Sequence, residues 1–82
     1  MKKKEAYNFY YNDVQQEDID KGLIDALIPL LQKNDLEFIS YDYDEQNERL
    51  EVVITDTLNR TPNELFNLKC DIKSEAYKQI QK

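Results

Sequence analysis

Hydrophobic and polar residues alternate most regularly between positions 36 and 55. Two runs rich in β-branched and aromatic residues, 36–43 and 48–55, flank Asp44-Glu45-Gln46-Asn47. An Asp opening such a segment can bond the backbone ahead of it, and Asn tolerates a left-handed conformation. The pattern therefore predicts a β-hairpin closed by a four-residue loop. That loop sets Tyr43 opposite Glu48, Tyr41 opposite Leu50, Ile39 opposite Val52 and Glu37 opposite Ile54. Side chains alternate faces along a strand. One face then carries Ile39, Tyr41, Tyr43, Leu50, Val52 and Ile54, and is the expected core face. The other carries Leu36, Phe38, Ser40, Asp42, Arg49, Glu51, Val53 and Thr55. In this register Asp42 faces Arg49, an exposed cross-strand ion pair of modest worth.

A lone hairpin is marginal in water, so flanking elements must cover it. Residues 6–11 read as a short strand, with Tyr7, Phe9 and Tyr11 on one side and Asn8 and Tyr10 on the other. Asp13 and Gln16 resemble a capping box, and Glu17, Asp18 and Asp20 suit the positive end of a helix dipole. A single helix is expected over 13–33. Ile19, Leu23, Ala26, Leu27 and Leu30 form its apolar stripe, widened by Ile24, Ile28 and Leu31. Pro29 should bend it near Asp25 or end its regular part early, Gly22 should cost about 1 kcal/mol against Ala, and Asn34 should cap its end in a left-handed conformation.

The last twenty residues give two conflicting signals. Thr61-Pro62-Asn63-Glu64 matches a helix start. Yet Phe66, Leu68, Cys70 and Ile72 alternate strictly with Asn67, Lys69, Asp71 and Lys73, and a helix would set Lys69 and Lys73 within its apolar arc. The expectation is a helical turn at 62–65, a strand at 66–73 with Cys70 a small core residue, and a short terminal helix. The alternative is one long helix over 62–81. The predicted class is α+β: a small antiparallel sheet, built on the hairpin of 36–55, packed on one amphipathic helix in the order β-α-β-β-β. A β-α-β-β-α order is the alternative.

Eighty-two residues make one small domain, 1–82, with residues 1–5 expected to fray. No apolar run approaches the roughly eighteen residues of a membrane span. The Met1-Lys2-Lys3-Lys4 start lacks the apolar segment of a secretory signal, and one cysteine cannot form an internal disulfide. A cytoplasmic protein is expected. Abundant Asn, Lys, Ile, Tyr and Asp points to a bacterial or phage genome. Seventeen acids against eleven bases give a net charge of −6. Between Asn12 and Glu64, fourteen acids face four bases, a net of −10. Such a body lacks the positive field that nucleic-acid or anionic-membrane binding needs, so neither is an expected direct partner. The order α-β-β-β-α also occurs in double-stranded RNA-binding modules, but those dock through basic residues on the last helix. Here that region reads Ser74-Glu75-Ala76-Tyr77-Lys78.

The chain has no His, so no Ser-His or Cys-His nucleophile pair can form. It has no phosphate-cradling glycine loop, and zinc is nearly excluded with one Cys. Asp42, Asp44, Glu45 and Glu48 loosely match the start of a calcium loop but lack its glycine and closing Glu. No catalytic residue, metal site or cofactor is expected, and the protein is read as not an enzyme. Two functions follow. One is a protein-interaction or regulatory module that docks a partner, or a second copy of itself as a homodimer, through Leu36, Phe38, Val53, Ile24, Ile28 and Leu31. The other is an acidic nucleic-acid-mimic inhibitor from a phage or mobile element. Its acidic face would comprise Asp18, Asp20, Asp42, Asp44, Glu45, Glu48 and Glu51, with Glu17 and Asp25 beside them.

Overall fold

The second hairpin strand is the middle of the sheet. In the computed structural model, which describes residues 6–81, β3 (Arg49–Asp56) lies between β1 (Ala6–Tyr11) and β2 (Leu36–Asp44), antiparallel to both. The fraying expected of residues 1–5 lies outside the described residues. A central strand has two neighbours to satisfy its backbone, and β3 has the apolar alternation to match. Leu50, Val52 and Ile54 are fully buried, with Tyr11 opposite Leu50 and Phe9 opposite Val52 on β1.

The hairpin register differs from the expected one. Tyr43 pairs with Leu50, Tyr41 with Val52, Asp42 with Glu51 and Asp44 with Arg49, so the expected cross-strand pairing of Asp42 with Arg49 does not form. The loop is 45–48, one residue later than expected. Asp44 ends β2 and accepts bonds from the backbone N–H groups of Gln46 and Asn47 and from the Asn47 side chain, while Glu48 rather than Asn47 takes the left-handed conformation. A second departure is a bulge between Phe38 and Ser40. The extra residue, Ile39, is 51 % exposed and not a core residue. The bulge shifts the phase of the strand. Leu36 and Phe38 point toward the core before it, and Tyr41 and Tyr43 share the face of Val52 and Leu50 after it. Tyr41, on the edge strand, remains half exposed.

The expected single helix is broken in two. α1 (Gln16–Asp20) starts with the Asp18 carboxylate accepting the Gln15 N–H, not with Asp13, which is left-handed. Gly22, at φ 96°, breaks the helix and caps α2 (Leu23–Lys33). A left-handed turn is where glycine alone avoids a steric penalty. Pro29 is accommodated within α2, whose end is capped by the Asn34 side chain on the Leu30 carbonyl. Asp35, not Asn34, takes the left-handed turn that follows.

The C-terminal segment is one helix, α3 (Pro62–Ile80), so the strand expected at 66–73 does not form. The long-helix alternative is the observed one, and the α-β-β-β-α order falls away with the strand. Thr61 caps it through the Glu64 N–H, with Pro62 in the first turn. Leu65, Ile72 and Ala76 are buried, and Leu68, Tyr77 and Ile80 pack beside them. Lys69 and Lys73 do interrupt this arc, but their ammonium groups lie over aromatic rings. Lys69 sits over Tyr11 and Phe66, while Lys73 sits over Tyr77 and donates to the Asn12 carbonyl. The stems cover apolar surface and the charges find partners. Phe66 and Cys70, which strict alternation placed inward, are exposed.

The helices cover one face of the sheet. The core joins Phe9, Tyr11 and the β3 residues to Leu23, Leu27 and Leu31 of α2 and Leu65 and Ile72 of α3. Val14, fully buried, ties the β1–α1 link to the hairpin end. Its N–H donates to the Glu48 carbonyl (2.8 Å) and its carbonyl accepts the Tyr43 hydroxyl (2.7 Å). The β3–α3 link is held by Arg60, whose guanidinium pairs with Asp56 at 2.9 Å and donates to the Asn34 carbonyl. Among the described residues no helix is long and apolar enough to cross a membrane.

Candidate functional site on the open face of the sheet

Alternation sends every second strand residue away from the helices. Asn8 and Tyr10 of β1, Arg49, Glu51 and Val53 of β3, and Ser40, Asp42 and Asp44 of β2 share that outer face. Its centre is one cross-strand row, Tyr10–Glu51–Asp42. Two carboxylates therefore stand directly opposite each other, an arrangement that destabilises a sheet. Neither is neutralised by a basic neighbour within ion-pair distance among the described residues. Glu51 accepts a bond from the Asn8 side chain at 3.3 Å. Arg49, the basic residue of the face, stacks its guanidinium 5.6 Å from the exposed Tyr10 ring and lies opposite Asp44. Tyr10, Asp42, Asp44, Arg49 and Glu51 line a shallow depression of about 190 Å³.

The acidic character continues around the hairpin end. Burial raises the pKa of the Tyr43 hydroxyl, and the charges of Glu45, Glu48, Asp18 and Asp44 raise it further. Carboxylates from α1, β2 and the loop thus converge on one ring. Asp44 is the most tightly held. The Asn47 side-chain amide and then its backbone N–H keep its carboxyl below the ordinary carboxylate range, and Arg49 adds to this.

The structure sorts the sequence-predicted residues. Of the apolar set, Leu31 and Leu36 are core residues at 1 % exposure and offer no surface. Ile24 and Phe38 are partly buried and packed against the core, for α2 and the inner half of β2 both turn toward it. Val53 sits half-buried at the centre of the open face, between Asn8 and Ser40, and Ile28 is half-buried on α2. Of the acidic set, Asp42, Asp44 and Glu51 share the open face, with Glu45 and Glu48 on the adjoining loop. Asp18 has structural bonds, accepting the Tyr77 hydroxyl (2.9 Å) and the Gln15 N–H. Asp20 is on α1, bonded to Gln16. The sequence reading passed over Tyr10 and Arg49 as site residues, although alternation already set each on this side of its strand.

The chemistry available is electrostatic docking around an aromatic ring. Among the described residues no group of three or more His, Cys, Asp or Glu side chains is arranged to hold a metal ion. Comparison with protein-family models, curated proteins and solved structures finds no match.

Proposed function

We propose that the protein is a non-enzymatic interaction module that presents the open face of its sheet to a basic surface on a partner protein. The observation that supports this most is the Asp42–Glu51 pair at the centre of that face, which no basic side chain among the described residues neutralises. Folding gains nothing from setting the two carboxylates opposite each other. A basic partner would relieve their repulsion while Tyr10 and Val53 supply contact area. Charged groups of this kind steer encounter and fix register more than they add affinity. The narrower reading is an inhibitor of phage or mobile-element origin whose carboxylates stand in for nucleic-acid phosphates. It uses the same face and is favoured by the net of −10 between Asn12 and Glu64.

The test is affinity capture from lysate of the cells that encode the chain, with wild type and the double variant Asp42→Asn, Glu51→Gln as baits. The expected outcome is a stoichiometric basic partner that the double variant loses and that elutes as added salt screens the charges. Release of that partner by duplex DNA identifies the mimic form. A partner that both baits retain through high salt rejects docking through this face.

A further inference from the structure

A second concave surface runs along the free edge of β1, on the far side of Tyr10. Tyr7, Phe9, Tyr10, Pro62 and Phe66, with Lys69, shape a groove of about 150 Å³. Its apolar walls are open to solvent. Phe66 is 59 % exposed, Tyr10 43 % and Tyr7 38 %. Two features define what would fit. First, β1 has a strand neighbour on one side, β3, so the outward backbone groups of residues 6–11 have no ladder partner among the described residues. An unpaired edge is a template for an added strand. Second, the charged side chain lining the groove is a cation. The Lys69 ammonium lies 5.2 Å from the Phe66 ring and 5.5 Å from the Tyr11 ring, in a molecule that is otherwise mostly acidic.

We propose that this groove takes an extended segment of a partner protein that carries an apolar and an acidic residue two positions apart, on the face that an added strand would turn toward α3. The segment would add to the sheet beside β1 as a fourth strand. It would lay an apolar side chain on Phe66 and Tyr7 and set a carboxylate on Lys69. A second copy of this chain fits poorly. Pairing β1 with β1 would bring the two Lys69 residues to the same seam. A basic strand would meet Lys69 head-on. The inference does not require a partner on the open face, with which the groove shares Tyr10.

The probe is a fluorescein-labelled decapeptide in which threonine alternates with phenylalanine and aspartate in turn, so that phenylalanine and aspartate share one strand face. The same peptide with lysine in place of aspartate, and an oligothymidylate of similar length, serve as comparisons. Binding is read by fluorescence anisotropy and mapped by amide NMR shifts on the 82-residue protein. The expected result is saturable binding of the aspartate peptide, with shifts concentrated on β1 and the first half of α3. Lys69→Gln and Phe66→Ala should each weaken it roughly tenfold, and exposed Cys70→Ser should leave it unchanged. Both sensitive positions are partly or largely exposed, so circular dichroism of the variants should match wild type. Equal or tighter binding of the lysine peptide overturns the proposal, as does tighter binding of the oligothymidylate. So do shifts confined to the open face, self-association of the free protein through β1, and no binding in the millimolar range.

Discussion

Two adjacent rows cross the sheet at its centre, one residue apart. In the first, Phe9, Val52 and Tyr41 face the helices, and Phe9 and Val52 are sealed from water. In the second, Tyr10, Glu51 and Asp42 face outward, and two like charges stand opposite each other. The same backbone carries both. Burial of apolar area, worth about 1.5–3 kcal/mol for a large side chain, decides which residues fill the first row. Nothing of that size acts on the second. Its unfavourable pair is tolerated because the covered row fixes the register, and a one-residue slip would turn Leu50, Val52 and Ile54 to solvent. The covered face makes the fold, and the open face is free to carry a charge pattern that folding alone would not choose.

The sharpest way to break this division is to change the phase of a strand. Deleting Val53 would set Ile54 on the open face while Leu50 and Val52 stay inward. The expected outcome is loss of cooperative unfolding in a chemical denaturation curve. Deleting Ile39 should do far less. It is the bulged residue, and without it Leu36, Phe38, Tyr41 and Tyr43 alternate in phase. That variant should stay folded and keep a cross-strand NMR contact between Tyr41 and Val52. Equal damage from the two deletions would show that the bulge, not the covered row, fixes the hairpin.

Next in size are truncations on the two faces. Ile54→Ala should cost about 2–5 kcal/mol, as buried truncations that leave cavities do. Val53→Ala, one residue along and half-buried on the open face, should cost about 1 kcal/mol or less. Urea titrations of the two variants measure the contrast directly. Similar costs would mean that the open face is packed against something in solution.

A smaller effect concerns Asp44, the open-face carboxylate that is tied down. Its hydrogen bonds from Asn47 lower its folded pKa. The stability they contribute is present above the unfolded Asp value, about 3.9, and is lost as pH falls through the lowered folded value. Asn47→Ala should therefore lower the melting temperature near neutral pH, and the difference from wild type should shrink below about pH 4. A difference that persists unchanged in acid would place the role of Asn47 in the loop backbone rather than in the carboxylate bond.

How much of this was legible in the sequence follows from the same division. β3, the strand at 6–11 and the outward position of Asp42 and Glu51 follow from alternation, because a period of two holds wherever one face is buried, whereas Asp44, expected in the loop, ends β2. The bulge left a trace that a regular ribbon overrides. Leu36 and Phe38 are out of phase with Tyr41 and Tyr43, and only an extra residue lets both pairs face inward. Gly22 showed where backbone freedom existed, but its positive φ depends on how α1 and α2 pack. In α3 the strict alternation of Phe66, Leu68, Cys70 and Ile72 misled, because it counted Lys69 and Lys73 by charge alone. Their ammonium groups over Tyr11, Phe66 and Tyr77 let them sit within the buried arc. The apolar docking set lost Leu31 and Leu36 for a related reason. Leu31 and Leu36 read as surplus only while the helix and hairpin were taken as regular.

The smallest expected effect bears most directly on function. If folding did not select the Asp42–Glu51 pair, removing one charge should not harm the fold. Directly opposed like charges cost roughly 0.2–1 kcal/mol, so Asp42→Asn should raise stability by a few tenths of a kcal/mol at low ionic strength. The gain should fade in about 1 M salt, where the Debye length is about 3 Å. Glu51→Gln should do the same less cleanly, since it also changes the acceptor for Asn8. The double variant should gain no more than Asp42→Asn alone, because the repulsion is one interaction and not two. A destabilised Asp42→Asn would mean that this carboxylate has a stabilising partner within the folded chain, and the open face would lose its claim to a charge pattern kept for an external surface. A stabilised variant that also fails to capture the partner would put stability and binding in opposition at one residue, as expected of a side chain retained for docking rather than folding.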